Sequence, residues 1–343
     1  MRVLFHIGYF KNDWNPDNMS GIGGTEIAVI EITKRLARFG WEVAVSGDVI
    51  PGVFDGVKWL KTETVHRDHY DQFDVIIGVS YIHFVLEFGE YNAKKLFWIH
   101  NTDYHPWFKG KKINDANTLL SQDNIDGFIC LTKWHFEQWS QKYSLDKDRF
   151  NIIGNGINIE EFSSTPEKIK DRFIWSSAPE RGLNELLDNW KYIKSVKPEA
   201  TLHIYSPSYQ IAEGSVWGRE DLEGVEFKGS VDQKRLHSEM MRAEYWPYIT
   251  NYEETYCITA LEMQAAGILP IVTDTSALNE TVNSGIILEN NETKWKVALQ
   301  IISKLDSQIK EKALDENKEW IKLQTWNSRV YDWKRLIEEY ESR

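Results

Sequence analysis

The sequence is poor in cysteine and in long apolar runs. Its 343 residues include 2 cysteines, Cys130 and Cys257, which are too far apart to form a CxxC motif. This usage favours free thiols and a reducing compartment over a disulfide framework. No apolar stretch approaches the roughly 18 residues that a membrane-spanning helix needs. We therefore expect a cytoplasmic protein, either free or bound peripherally to a membrane surface.

Basic residues are outnumbered by acidic ones. The chain carries 40 Lys and Arg against 52 Asp and Glu, a formal net charge of −12 at pH 7. Proteins that bind nucleic acids need a basic surface, so this balance argues against a nucleic-acid partner. Apolar residues make up 42% of the chain, as in globular proteins, and the length favours two domains. The sequence gives no signal for an oligomeric state.

Apolar strand-like runs alternate with helical patterns along the chain, which predicts an α/β fold with parallel sheets. The first unit has an apolar run at 3–7, the turn Gly21-Ile22-Gly23-Gly24-Thr25 and a helical pattern over 27–39. Glycines in such a turn let a ligand approach the backbone, although an ordinary tight turn explains them equally well. The spacing does not fit the GxGxxG fingerprint, which argues against a nicotinamide-dependent dehydrogenase.

The most informative stretch is 251–280, which reads NYEETYCITALEMQAAGILPIVTDTSALNE. Its apolar spacing predicts a helix that begins near Thr255, with Glu254 in the loop before it and Glu262 about two turns inside. The free N–H groups at a helix start suit a phosphate. Carboxylates would repel phosphates, so we expect each Glu to bind sugar hydroxyls on either side. Taken alone, two Glu at this spacing also fit an ordinary solvated helix.

Glu254, Glu262 and the following AAGILPIVTDTSALNE together resemble the donor-site signature of retaining glycosyltransferases of family four. The resemblance implies a GT-B fold, in which two Rossmann-like domains face a central cleft and a C-terminal helix crosses back to the first domain. The expected acceptor-side domain covers 1–160 with 325–343, and the expected donor-binding domain covers 161–324. The resemblance extends over nearly the whole chain, most densely at 173–183 and 225–285.

The resemblance assigns roles to the residues of this stretch. It implies that Glu254 contacts the transferred sugar and takes part in catalysis, while Glu262 contacts the nucleotide ribose. It also implies that the diphosphate is bound by backbone amides, those of Cys257, Ile258 and Thr259.

A second set of donor-binding residues comes from the turns that precede two predicted helices. Arg181 matches a basic residue that binds the diphosphate, and an arginine suits this role because its forked donors are always charged. Many family members carry another basic residue where this chain has Trp175-Ser176-Ser177. We therefore expect hydroxyls such as that of Ser177, together with backbone amides, to compensate. Lys228 and Val231 are candidates for contacts with the base, although an ordinary strand-to-helix turn is as good an explanation.

The first domain offers fewer candidates. In the family a Gly-Gly-Thr-like loop lies near the donor phosphates and the acceptor, and Gly23, Gly24 and Thr25 match it. His100 follows a predicted strand at 95–99, where the resemblance implies a position close to the transferred sugar. A structural histidine bonded to a backbone carbonyl is the alternative for His100.

The expected activity is a retaining transfer of a sugar from a UDP- or GDP-sugar to a hydroxyl of a glycan, glycoprotein or glycolipid. We expect no metal and no other cofactor, because the sequence has no His/Cys cluster with the spacing of metal ligands. A nucleotide-sugar epimerase and a non-catalytic nucleotide-sugar-binding homologue remain alternatives on the same fold. Neither the base nor the sugar can be read from these residues.

Overall fold

A computed structural model describes residues 1–8, 14–19, 22–68, 73–104, 107–108, 111–112, 116–206 and 222–343. Gly21 of the glycine-rich turn lies outside these ranges. The chain forms two compact units, the first made of Met1–Gly156 with Trp326–Arg343 and the second of Ile157–Thr325. Each unit contains a mainly parallel sheet with helical connections, which confirms the α/β class. Within the described ranges, no helix combines the length and the apolar character needed to cross a membrane.

The strands of the first unit are β1 (Arg2–His6), β2 (Glu42–Gly47), β3 (Gly52–Phe54), β4 (Val57–Lys61), β5 (Val75–Val79), β6 (Lys94–Trp98), β7 (Trp107–Phe108), β8 (Lys111–Lys112), β9 (Gly127–Cys130) and β10 (Phe150–Ile152). An 8-stranded sheet has the order β10-β9-β6-β5-β1-β2-β4-β3, and β7 pairs with β8 separately. Central strands such as β5 are buried along their whole length, which explains their continuous apolar sequence.

One hairpin of this sheet was missing from the sequence prediction. Strands β3 and β4 pair antiparallel at the edge of the sheet. Asp55 and Gly56 join them with φ angles of +50° and +81°. An Asp-Gly pair between strands is a strong hairpin signal, because both positions of a type I′ turn need positive φ. The Asp55-Gly56 dipeptide is therefore a readable sequence signal for this hairpin.

The helices of the first unit that precede the second are α1 (Gly24–Ala37), α2 (Thr62–Asp68), α3 (Phe84–Glu87), α4 (Ala116–Leu119) and α5 (Lys133–Lys142). Helix α1 begins three residues before the apolar run at 27–39. Its start is stabilised by Glu26, whose Oε2 accepts a hydrogen bond of 2.8 Å from the backbone N–H of Gly23.

The described residues of the second unit form six strands, β11 (Arg172–Trp175), β12 (Thr201–Ile204), β13 (Val225–Phe227), β14 (Tyr245–Tyr248), β15 (Leu269–Thr273) and β16 (Ile286–Leu288). They form a parallel sheet of order β13-β12-β11-β14-β15-β16. Its helices are α6 (Leu183–Val196), α7 (Gln233–Arg242), α8 (Ile258–Ala265), α9 (Leu278–Thr281), α10 (Lys294–Ser303) and α11 (Ser307–Trp320). In this doubly wound order, the strand order reverses between β11 and β14, where open parallel sheets bind their ligands.

The last helix, α12 (Trp326–Ser342), belongs to the first unit. Its buried face includes Trp333, whose ring lies 4.6 Å from that of Trp98 and 5.8 Å from that of Phe5. A Cβ at Gly127 would lie 2.2 Å from the hydroxyl oxygen of Tyr340, so β9 needs glycine at this position. The C-terminal helix thus completes the core of the first unit, as the sequence predicts.

Candidate functional site

Two loops meet where the strand order of the second sheet reverses. Strands β11 and β14 are neighbours, and the later strands continue on one side while β12 and β13 lie on the other. In open parallel sheets, ligands bind beyond the carboxyl ends of the strands at such a reversal. The loop after β11 carries Arg181, and the loop after β14 carries Glu254. The fold therefore brings together two residues that the resemblance assigns to the donor site.

Arg181 and Glu254 form an ion pair in this crevice. Nη1 of Arg181 lies 2.5 Å from Oε1 of Glu254, and the two side chains are 33% and 5% exposed. The guanidinium also lies over the ring of Tyr252, 4.6 Å from its centroid. Burial disfavours the charged form, but Glu254 and the neighbouring Tyr248, Cys257 and Tyr252 together outweigh burial and raise the pKa of Arg181. The site thus holds a permanent cation, partly open to solvent, between a carboxylate and an aromatic face.

Glu254 is held in place by both its side chain and its backbone. The hydroxyl of Tyr248, the last residue of β14, donates a hydrogen bond of 2.5 Å to Oε1. Burial raises the pKa of Tyr248, so this hydroxyl keeps its proton and remains a donor. The backbone N–H of Glu254 donates to Oγ of Ser276 at 2.9 Å, and its carbonyl accepts from the N–H of Ala277 at 3.1 Å. The sequence prediction missed Tyr248, although it ends the strand that leads to Glu254.

The loop that carries Arg181 is a closed turn that packs against the end of β14. Nε1 of Trp175, at the end of β11, donates a hydrogen bond of 2.6 Å to the carbonyl of Ser177 and closes the turn. Ser177 itself is half-buried. Gly182 follows Arg181 with φ +118°, and a Cβ there would lie 3.3 Å from the carbonyl oxygen of Ile249. Glycine therefore lets the Arg181 loop approach the end of β14 closely.

Helix α8 begins at Ile258, three residues later than predicted. The reason is Cys257, which precedes the helix in a left-handed conformation with φ +71°. Side chains rarely adopt this conformation, so the periodicity of the apolar residues could not reveal it. The amides of Cys257, Ile258 and Thr259 lie at the start of the helix, where N–H groups have no partner within it. This helix start is where the sequence prediction places the diphosphate, and that assignment stays a prediction.

Glu262 lies within α8 and is nearly buried. Its Oε1 accepts a hydrogen bond of 2.9 Å from Nε2 of Gln233 and lies 3.3 Å from Nε2 of His237. Both partners belong to α7, four residues apart, so they share one face of that helix. The sequence prediction missed them, although this spacing of polar residues beside a buried helix face is a readable signal.

The two candidates for base contacts have different surroundings. Lys228 is exposed and forms an ion pair with Glu226 through its Nζ. Val231 is half-buried in the turn before α7. That turn is stabilised by Asp232, whose Oδ1 accepts a hydrogen bond of 2.8 Å from the N–H of Arg235. The ordinary strand-to-helix turn accounts for these contacts without a ligand.

His100 follows β6 at the carboxyl edge of the first sheet and is mostly buried. Burial and the neighbouring His135 lower the pKa of His100 to about 3, so the ring is neutral at physiological pH. The carbonyl of the next residue, Asn101, lies 3.0 Å from Nε2 of His135 and accepts a hydrogen bond of 2.7 Å from Nε1 of Trp139. These contacts fix the backbone that presents His100.

The glycine-rich turn lies at the start of α1. Gly23 and Gly24 are exposed and Thr25 is half-buried. A Cβ at Gly23 would meet only Oε2 of Glu26, at 3.2 Å. Gly23 and Gly24 are therefore accessible at the surface, and their contact with the donor phosphates stays a prediction.

The expectation of a metal-free reaction overlooked one DxD tripeptide, Asp146-Lys147-Asp148. This tripeptide belongs to a short turn before β10 in the first unit. Oδ1 of Asp146 accepts a hydrogen bond of 3.0 Å from the N–H of Asp148, which caps the turn. Its visible role is thus structural, and it lies in a different unit from Arg181 and Glu254.

Comparisons with known proteins give one family match and several structures of the same fold. Residues 161–320 match the family described as glycosyl transferases group 1. The sucrose-phosphate synthase of Thermosynechococcus elongatus is 15% identical, with a TM-score of 0.75 and 99% of each chain covered. Anabaena HepE in complex with UDP and glucose is 13% identical, with a TM-score of 0.72 over 99% of this chain and 100% of its own.

A third structure is the catalytic domain of starch synthase IV from Arabidopsis thaliana, bound to ADP and acarbose. It is 11% identical, with a TM-score of 0.72 and 100% of both chains covered. No curated protein sequence matches the chain. The chain therefore has the GT-B fold, and the match of residues 161–320 to the glycosyl transferases group 1 family supports glycosyltransferase activity.

Proposed function

We propose that the protein is a retaining glycosyltransferase that moves a sugar from a nucleoside-diphosphate donor, without a metal, to a hydroxyl of a glycan-type acceptor. One observation carries the proposal. The Arg181–Glu254 ion pair lies at the strand-order reversal, directly before the helix start that leads to Glu262. HepE, solved with UDP and glucose, and the starch synthase, solved with ADP, make UDP and ADP sugars candidates beside GDP sugars.

In the proposed complex, the diphosphate binds Arg181 and the amides of Cys257, Ile258 and Thr259, with Ser177 as a further donor. The diphosphate takes the place of Glu254 as partner of the guanidinium, since charge-assisted pairs with phosphate are strong. Oε1 of Glu254 is then released to accept hydrogen bonds from the hydroxyls of the transferred sugar. Glu262 binds the ribose.

Lys228 and Val231 border the base in the proposed complex. The family resemblance, and no contact of the structure, gives the loop Gly23–Thr25 a role near the phosphates and His100 a role near the sugar. Burial lowers the pKa of His100 to about 3, so its ring would act as a hydrogen-bonding partner rather than as an acid.

The proposed reaction breaks the bond between the anomeric carbon and the diphosphate oxygen and forms a bond to the acceptor oxygen on the same face. The acceptor hydroxyl gives its proton to the departing phosphate oxygen. Arg181 and the helix-start amides stabilise the negative charge that develops on the leaving group, and they need no reorganisation because they are already in place. Since these groups supply the positive charge, a metal ion is not required at this position.

Calorimetric titration of UDP, GDP and ADP tests the donor site. We expect one of them to bind wild type equally in EDTA and in magnesium. Arg181→Ala should weaken its binding by about tenfold or more, because a charge-assisted contact is lost. Arg181→Lys, which keeps the charge but not the fork, should lie between the two. Equal binding by wild type and Arg181→Ala would contradict the assignment of Arg181 to the diphosphate.

The nucleotide that binds then identifies the donors for proton NMR in the presence of glycan acceptors. We expect the donor to be consumed with release of the nucleoside diphosphate and a product bond of unchanged anomeric configuration. Conversion to another nucleotide sugar without an acceptor would instead identify an epimerase. An inverted product bond would contradict the retaining mechanism.

A further inference from the structure

A histidine connects Glu262 to a second carboxylate on the side away from α8. Nε2 of His237 lies 3.3 Å from Oε1 of Glu262, and its Nδ1 lies 2.8 Å from Oε2 of Glu161. Glu161 belongs to a short turn at 159–162, so the three side chains link this turn, α7 and α8. Each nitrogen of the imidazole therefore lies close to a carboxylate from another element.

The surroundings of His237 favour its charged form. The residue is 4% exposed, and the ring of Phe162 packs on the imidazole at 4.5 Å between centroids. Burial lowers its pKa, but the contacts with Glu161 and Glu262 outweigh burial and raise the pKa of His237 to about 9. The third polar group facing the ring is the amide of Gln233, whose Nε2 lies 2.9 Å from Nε2 of His237 and, as a donor, opposes a proton there. The net effect of these neighbours favours a protonated imidazole between two carboxylates at neutral pH.

We propose that His237 is a positioning residue that holds Oε1 of Glu262, so that Oε2 is presented to a hydroxyl of the donor ribose. This inference rests on the proposed role of Glu262 as the ribose ligand. Both observed contacts of the carboxylate are made by Oε1, and both donors come from α7. Glu161 fixes the imidazole in turn, because its carboxylate contacts the opposite ring nitrogen. The arrangement resembles the way in which an outer carboxylate orients a histidine that acts on a reacting group.

The matched variants are His237→Phe, which keeps a ring against Phe162 but removes both N–H groups, and Arg242→Gln. Arg242 is an exposed cation at the end of the same helix, so its replacement controls for the loss of one positive charge. The readout is the affinity ratio between a ribonucleoside diphosphate and its 2′-deoxy counterpart, measured with ADP, GDP and UDP. Inorganic pyrophosphate, which has no ribose, reports on the diphosphate position alone.

We expect wild type and Arg242→Gln to prefer the ribonucleotide by about tenfold, as for a hydrogen bond to a charged group, and His237→Phe by about threefold or less. Pyrophosphate should bind all three proteins equally. A full preference in His237→Phe, with the preference lost in Glu262→Ala, would overturn the inference about His237 and leave the ribose role intact. A full preference in Glu262→Ala would overturn both. Loss of pyrophosphate binding in His237→Phe would also overturn it, because His237 would then support the whole site.

The pH dependence provides an independent readout that packing alone would not change. His237 loses its proton as the pH rises through about 9. We therefore expect the ribose preference of wild type to be constant from pH 6 to 8 and to fall above that, while His237→Phe stays flat. The ratio of the two nucleotides cancels the ionisation of the base. Parallel profiles for the two proteins would contradict the role of the charged imidazole.

Discussion

The two strand-end loops that carry the candidate catalytic residues differ in how they treat charge. After β14 in the second unit, a carboxylate and a guanidinium lie 2.5 Å apart, and the guanidinium remains partly open to solvent. After β6 in the first unit, His100 is mostly buried and neutral, and the backbone behind it is fixed by the uncharged donors His135 and Trp139. One loop places opposite charges side by side at its candidate residues, whereas the other presents a neutral imidazole and pairs its acidic residue, Asp103, with Lys142.

From this difference we infer that the two loops have different roles in the proposed reaction. Charged groups that already have a partner need little reorganisation when a phosphate exchanges for that partner, which suits the stabilisation of a leaving group. A neutral imidazole can offer or accept a hydrogen bond without repelling a sugar that develops positive charge. Substitutions in and beside the two loops test these roles, and the largest effects are expected in the loop after β14.

The largest effect is expected for Glu254→Gln, which keeps the shape of the side chain but removes its charge. Turnover should fall by about a hundredfold, the usual cost of losing one group that stabilises a transition state. Initial rates of nucleotide release from the donor measure this effect. Glu253→Gln is the matched control, because Glu253 is the exposed neighbour, and its rate should stay within about twofold of wild type. Equal losses in the two variants would remove the special role of Glu254.

A smaller effect is expected for Tyr248→Phe, which removes the hydroxyl that donates to Oε1 of Glu254. The carboxylate loses one of its two observed partners, so turnover should fall by about tenfold while nucleotide affinity stays constant. Steady-state kinetics and calorimetry separate the two quantities. Tyr252→Phe keeps the ring over Arg181 and should change neither. A loss of nucleotide affinity in Tyr248→Phe would show that the hydroxyl acts on the whole site.

His135 of α5, which contacts the loop of His100, predicts that the stability of the protein depends on pH. Burial lowers the pKa of His135 to about 4 from its ordinary value of 6.5. Below pH 6.5 the unfolded chain binds a proton that the folded chain does not, so the unfolding free energy decreases as the pH falls from 6.5 towards 4. The Tm of His135→Gln should therefore fall less between pH 7.5 and 5 than that of wild type. Equal falls would show that His135 is not held neutral.

Much of the fold and of the second unit's site is readable from the sequence. The alternation of apolar runs and helical patterns predicts the parallel sheets, and the Glu254–Glu262 stretch identifies the crevice of the second unit. These signals are strong because each depends on local spacing. The start of α8 was misplaced because Cys257 adopts a left-handed conformation that no periodicity reveals.

The partners of the carboxylates could not be read in this way. Arg181 and Glu254 are 73 residues apart, and Glu262 meets His237 and Gln233 from another helix. Such contacts depend on the order of strands in the sheet, which local spacing does not specify. The same holds for His100, whose neutrality follows from burial and from His135 of a later helix. The charge state of each of these residues therefore depends on the fold, even where the sequence identifies the residue.

The central claim is that Arg181 serves the diphosphate while Glu254 serves the sugar and is only its partner in the absence of donor. Titration of the bound ribonucleoside diphosphate into Glu254→Gln tests it most directly. The account predicts binding as tight as in wild type or tighter, because the phosphates no longer compete with a carboxylate for the guanidinium. Binding that is lost, as in Arg181→Ala, would show that Glu254 belongs to the diphosphate site and would contradict the account.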